Sequence, residues 1–223
     1  MSAAALIRSR KSPCVEKRCR VAIAEDNEFM REGMAAVLRR QSRLEICGVA
    51  ADRRSTLKLV EKEKPDVLLL SFLLENCDVI DLIKDIIARF PQTRLIVTAM
   101  LSAELYCERL LRAGAFACLP RSRTSASELI DTVRSAVAGK SGGVRQTRGQ
   151  IEPAAASISS LTDRELHVFR LIGRGVGTGD IARELGLSRK TIETYREKIK
   201  RKLGYRDTGE LHRGAFEWAR RIS

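Results

Sequence analysis

Between residues 20 and 138 the sequence alternates five short apolar runs with longer segments of helical period, and this alternation narrows the fold more than any other feature of the chain. The runs are RVAIA (20–24), LEICGVA (44–50), DVLLLS (66–71), RLIVTA (94–99) and FACLP (116–120). Between them lie stretches such as FMREGMAAVLRR (29–40), TLKLVEKEK (56–64), VIDLIKDIIARF (79–90) and AELYCERLLRAG (103–114). Strands this apolar have no face to turn to water, so the intervening helices must cover both sides of a parallel sheet. Leu82, Ile86 and Phe90 recur at spacing four, as a helix lying on a sheet requires. In open sheets of this kind function gathers at the carboxyl ends of the strands, which singles out Glu25, Asp26, Ser71, Thr98 and Arg121.

After residue 139 the composition shifts to GKSGGVRQTRGQIEPAAASIS, rich in Gly, Ser and Ala and without apolar period, which reads as a linker. The expected organisation is a basic tail over 1–18, an α/β domain over 19–139, a linker over 140–159 and an all-α domain over 160–223. The net charge of +13 is unevenly spread, with +7 of it in residues 141–223. A basic excess in the smallest folded unit favours a polyanionic partner.

Residues 161–204 read LTDRELHVFRLIGRGVGTGDIARELGLSRKTIETYREKIKRKLG. Thr162 and Glu165 form a capping box that starts one helix, with Leu166, Phe169 and Ile172 facing inward. Gly173 and Gly175 end it. Thr178 or Gly179 opens a second helix with Ile181, Ala182 and Leu185 inward, Gly186 makes the turn, and Ser188 caps a third helix from about Arg189 to Leu203. Two short helices joined by such a turn are the helix-turn-helix arrangement.

The third helix decides the function. Ile192, Ile199 and Leu203 form one apolar stripe, leaving Arg189, Lys190, Glu193, Thr194, Arg196, Glu197, Lys198, Lys200, Arg201 and Lys202 for other faces. If this helix enters a major groove, Glu193, Thr194 and Glu197 face base edges. Ser188, Arg189, Lys190, Thr191, Lys198 and Arg201 then serve as contacts at the helix start and to phosphates. The two acidic residues repel the backbone, so they make sense there only as base readers, for example accepting from cytosine N4.

The order and spacing of L-T-x-R-E-L, I-A-x-x-L-G-L-S-x-x-T-I and K-L-G resemble the LuxR-type helix-turn-helix domain throughout. That resemblance implies a four-helix domain whose last helix, here about 208–221, often pairs with a second copy. Leu211, Ala215, Trp218 and Ile222 supply a stripe for such pairing, or equally for the domain's own core.

With that domain behind it, the region 20–138 resembles the receiver domain of NarL/FixJ-type response regulators, a flavodoxin-like fold. The matching features are Glu25 and Asp26 after the first strand, PDVLLL (65–70), Thr98, and GAFACLP (114–120). The resemblance places a phosphoacceptor aspartate at the end of the third strand, where this chain has Ser71. A serine hydroxyl needs a general base that no histidine of this domain can provide, and it removes one anionic ligand from a Mg²⁺ site. Arg121 stands where the family keeps lysine, Cys118 where a switch aromatic usually sits, and after the third strand only Asp78 matches the family's loop. The expectation is a remnant phosphorylation site in which Arg121 neutralises Glu25 and Asp26. The receiver would then serve dimerisation, or the sensing of a regulatory protein or small ligand. No cofactor is expected; a weak Mg²⁺ site at Glu25 and Asp26 is the alternative.

Other classes fit less well. An enzyme using Ser71 lacks a G-x-S-x-G elbow, and both histidines, His167 and His212, lie in the helical domain. A partner-binding adaptor with little DNA binding gains only from Glu193 and Glu197. Six cysteines without a CxxC pair read as reduced thiols rather than a metal site. The apolar run at 3–7 is too short for an export signal or a span, so the expectation is a cytoplasmic homodimer that binds double-stranded DNA and no membrane.

Overall fold

A computed structural model of the chain describes residues 18–74, 77–99, 104–121, 123–139, 158 and 160–222. The expected basic tail and linker therefore lie outside the described residues, except for Arg18 and Ile158.

The amino-terminal region runs β1 (Cys19–Ala24), α1 (Glu28–Arg39), β2 (Leu44–Ala50), α2 (Arg53–Glu63), β3 (Val67–Ser71), α3 (Val79–Arg89), β4 (Arg94–Ala99), α4 (Glu104–Arg112), β5 (Ala117–Pro120) and α5 (Ala126–Val137). The strands lie in the order β2-β1-β3-β4-β5 and every neighbouring pair is parallel. One apolar cluster, with Leu68, Leu70, Ile83 and Leu110, fills one side of the sheet; a second, with Ile23, Leu38, Leu69 and Val133, fills the other. β3 is buried at all five positions because it lies at the centre, with helices above and below.

Local chemistry sets the helix starts. The Asn27 side chain accepts the Met30 amide at 3.0 Å, and Asp78 accepts the amides of Ile80 and Asp81. Helix α5 was not among the stretches picked out by periodicity. Its signal is the pair Ser125 and Glu128, which form a reciprocal capping box ahead of buried Leu129, Val133 and Ala136. Phe90 departs from the expected face: it is the residue after α3, half-buried at the carboxyl cap.

The reading of every cysteine as a reduced thiol is corrected for two of them. Cys107 of α4 and Cys118 of β5 form a disulfide, with Cα atoms 5.5 Å apart. Helix-to-strand packing brings them together although they stand eleven positions apart in sequence, so spacing motifs carried no trace of the pair.

Among the described residues the carboxyl-terminal region runs α6 (Asp163–Gly173), α7 (Thr178–Glu184), α8 (Arg189–Leu203) and α9 (Thr208–Ile222). Thr162 and Glu165 make the expected capping box on α6. Helix α7 begins at Thr178 behind Gly177, which offers no side-chain cap. The turn glycine Gly186 has φ +64° and Gly204, closing α8, has φ +72°, backbone angles that favour glycine.

Leu211 and Ala215 of α9 are fully buried, and Trp218 packs on Phe169 with ring centroids 5.4 Å apart. Leu211 and Ala215, and part of Trp218, thus pack inside the domain against α6, while the Ile222 side chain lies outside the described residues. The approach is close: a Cβ on Gly173 would overlap the Ala215 carbonyl oxygen and lie 2.9 Å from its carbonyl carbon. Among the described residues no helix is long and apolar enough to cross a membrane.

Candidate nucleic-acid interface and receiver site

The Ser188 hydroxyl accepts the Thr191 amide at 3.1 Å and so fixes the first turn of α8. From there the helix divides cleanly. Ile192, Arg196 and Ile199 are buried, whereas Ser188, Arg189, Lys190, Glu193, Thr194, Glu197, Lys198 and Arg201 are exposed and Thr191 is half-exposed. None of the residues expected at DNA is buried.

Arg196 is the exception to the sequence reading, being only 8% exposed. It falls four residues after Ile192 and three before Ile199, which is the buried stripe. Its guanidinium donates to the Thr178 hydroxyl at 2.7 Å and stands 2.9 Å from His212 Nε2, tying α8 to α7 and α9. Lys202 stays at the surface but is engaged within the domain, donating to the Ser160 carbonyl and to Glu165 at 2.6 Å. Lys200 pairs with Glu197 at 2.8 Å, leaving the Glu197 side chain two-thirds exposed. Thr194 donates back to the Lys190 carbonyl at 3.0 Å.

At the carboxyl edge of the sheet the residues singled out from sequence meet. Glu25, 1% exposed, is ion-paired with Arg121 Nη2, and the same nitrogen donates to the Ser71 hydroxyl at 2.8 Å and to the Thr98 hydroxyl at 3.5 Å. Burial pushes the Glu25 carboxyl above its ordinary range, a hydrogen bond with Asp26 adds to this, and Arg121 opposes it. Asp26 is half-buried and turns back to the Asn27 amide at 3.0 Å. This cluster does not suit a divalent cation: Glu25 is already neutralised by a fixed guanidinium, and Ser71 contributes only a neutral hydroxyl. Among the described residues no group of three His, Cys, Asp or Glu side chains is arranged to hold a metal ion.

A second polar cluster escaped the sequence reading. Arg170 of α6 donates to the carbonyls of Phe72 (3.1 Å) and Cys77 (2.9 Å), both in the loop that follows β3. Arg164 reaches Asp81 at 3.2 Å and Asp78 at 3.7 Å, and Arg109 of α4 donates to the Leu161 carbonyl at 2.5 Å. His167 is buried between Asp78, 3.8 Å away, and Glu184, 4.0 Å away. Burial and the charges of Arg170, Arg164 and Arg174 push its pKa down to about 3, so the ring is neutral at pH 7. Helix α6 is thus buried on every face, enclosed by its own domain on one side and by α3, α4 and the β3–α3 loop on the other. The sequence signal here was only Leu166, Phe169 and Ile172 at helical spacing; His167 and Arg170, polar residues between them, mark no partner by themselves.

Comparison with known proteins gives the same two-part division. Residues 21–134 match the response regulator receiver domain, and residues 159–215 match the bacterial regulatory proteins of the luxR family. The chain is 30% identical over 200 residues to the transcriptional regulatory protein YxjL of Bacillus subtilis, covering 85% of this chain and 91% of that one. It is 29% identical over 195 residues to LiaR of the same organism, covering 84% of this chain and 92% of LiaR. Among solved structures, RcsB of Salmonella typhimurium superposes with a TM-score of 0.71 at 22% identity, covering 90% of this chain and 98% of that one. The receiver domain of NarL from Mycobacterium tuberculosis covers 56% of this chain and 99% of its own length, with a TM-score of 0.53 at 22% identity.

Proposed function

The chain belongs to the two-component response regulators that join a receiver domain to a LuxR-type DNA-binding domain and regulate transcription; from that premise we propose that it reads specific promoter sequences without control by receiver phosphorylation. Helix α8 enters the major groove. Glu193, Thr194 and Glu197 meet base edges, while Ser188, Arg189, Lys190, Thr191, Lys198 and Arg201 hold the backbone. The observation that carries this reading is the division of α8, whose proposed contacts are all at least half-exposed while Ile192, Arg196 and Ile199 bind the helix to its domain.

Ser71 ends β3 where the family resemblance places an aspartate, and Arg121 occupies the space between Ser71 and Glu25. These two features support a receiver held in one state and used for dimerisation or for sensing a partner or ligand. RcsB has been described as two dimers bound to two parallel DNAs, and a homodimer on duplex DNA is the corresponding proposal for this chain.

The test is binding to duplexes enriched from a random pool, measured across a salt series. Neutralising several phosphates predicts a steep fall in affinity with rising salt, of roughly three to five orders of magnitude between 50 and 200 mM for six to ten contacts. The alternative, an adaptor that has left DNA, draws on the exposed acids Glu193 and Glu197 and predicts weak binding at every salt concentration.

A further inference from the structure

If receiver phosphorylation does not control this chain, as proposed above, control can enter elsewhere, and the Cys107–Cys118 bond lies between the receiver sheet and a helix that contacts the DNA-binding domain. We propose that these two cysteines are a dithiol–disulfide site through which the chain reads thiol redox state, with α4 as the moving element. This rests on the DNA-binding reading for its output.

Position carries the argument. Cys118 lies on β5 in register with Val97, beside Thr98 and three residues before Arg121. Cys107 lies on α4, two residues before Arg109, whose guanidinium donates to the Leu161 carbonyl and pairs with Asp163 at the start of α6. One bond thus ties the strand beside β4, whose end carries Thr98, to one of the elements that hold the DNA-binding domain. A domain with this much apolar core has no need of a staple, which disulfide-dependent small domains do have. In a reducing compartment such pairs are usually transient and regulatory.

The chemistry balances without a cofactor. A dithiol reductant attacks one Sγ as its thiolate, the Sγ–Sγ bond breaks, and the resulting mixed disulfide is resolved by the reductant's second thiol. Two electrons and two protons pass to Cys107 and Cys118, and the reductant leaves as a disulfide. Glutathione disulfide reverses the step and leaves as two thiols. Both cysteines are 3% exposed, so exchange goes through lifting of α4 from β5, the same motion the bond restrains. With the bond broken, α4 loses its covalent tie to β5, and its grip through Arg109 on Leu161 and Asp163 loosens.

The experiment uses the full chain, treated with glutathione disulfide or dithiothreitol. It reads alkylation of Cys107 and Cys118 by peptide mass, duplex affinity on the enriched pool, and amide exchange over residues 163–173. Reduction is expected to raise duplex affinity about fivefold or more, the lower end of ordinary allosteric coupling, and to speed exchange in α6. The variant C107A/C118A should behave as the reduced form in both reagents. Arg109→Ala should keep the redox-dependent alkylation while losing the redox dependence of affinity. Equal alkylation of the two cysteines in both reagents overturns the proposal, as does duplex affinity that is measurable and the same in both. If no duplex binds in either form, the DNA-binding reading fails by itself. Exchange in α6 then decides this inference, supporting it if redox-dependent and overturning it if not.

Discussion

Arg121 Nη2 stands 2.8 Å from the Ser71 hydroxyl while the same nitrogen is ion-paired with Glu25. A guanidinium in that place occupies the space between the two groups that would have to cooperate in phosphoryl transfer. Incubation with acetyl phosphate and Mg²⁺ is therefore expected to leave the intact mass unchanged. A stable increase at a carboxylate of the receiver domain would sink this reading.

Removing the cation strands a buried carboxylate. Arg121→Ala should cost about 3–5 kcal/mol of folding stability at pH 7, in the range for breaking one partner of a buried pair. Burial already raises the Glu25 pKa. The deficit should therefore shrink as pH falls and the carboxyl takes up a proton, which urea denaturation at two pH values would show.

On α8, exposed and buried cations should separate by assay. Arg189→Ala with Lys190→Ala should weaken binding to all duplexes alike and lower the salt slope by about two, one for each lost phosphate contact. Thr194→Ala or Glu197→Gln should instead change which sequences are enriched. Arg196→Met should lower the melting temperature and leave the salt slope intact, because its partners are Thr178 and His212.

His167 gives a pH dependence with a definite sign. Its folded pKa of about 3 lies below the ordinary 6.5, so the unfolded chain binds the proton first and acid favours unfolding. Wild type should lose up to about 1.4 kcal/mol per pH unit relative to His167→Gln as pH falls from 6.5 toward 3. Asp78, Glu184, Arg164 and Arg170 surround the ring and are present in both chains, so the difference isolates the histidine. Parallel stability curves would refute it.

Gly173→Ala should destabilise by about 1–3 kcal/mol, since its methyl meets the backbone of Ala215 rather than a side chain that could turn away. Calorimetry of the variant is the check; a gain in stability, as better helix propensity alone would give, would show that α9 can shift outward freely.

The sheet was legible because its inner strands β1, β3 and β4 are almost wholly buried and the edge strand β2 is still apolar apart from Glu45: the ends of β2 and β4 coincide with the apolar runs, and β1, β3 and β5 differ by one residue. The caps at Thr162 and Ser188 were legible for a local reason, since each bonds within three residues. What could not be read was whatever depends on two distant segments meeting. The Cys107–Cys118 bond and the hold of Arg170 on the Phe72 and Cys77 carbonyls are of that kind. Arg196 might have been caught by counting, because its place between Ile192 and Ile199 puts it on the buried stripe. Arg170 could not, because no residue number tells a helix that a second domain will cover its polar face.

The enclosure of α6 bears on how such a chain can be rearranged by recombination. A DNA-binding domain that shared only a tether with its receiver could be exchanged for any relative. Here Arg164, Arg170 and Asp163 are fitted to Asp78, Asp81, Lys84 and two backbone carbonyls of the receiver. A chimera that replaced one half would inherit buried charges without their counterparts, so the two halves are bound to change together.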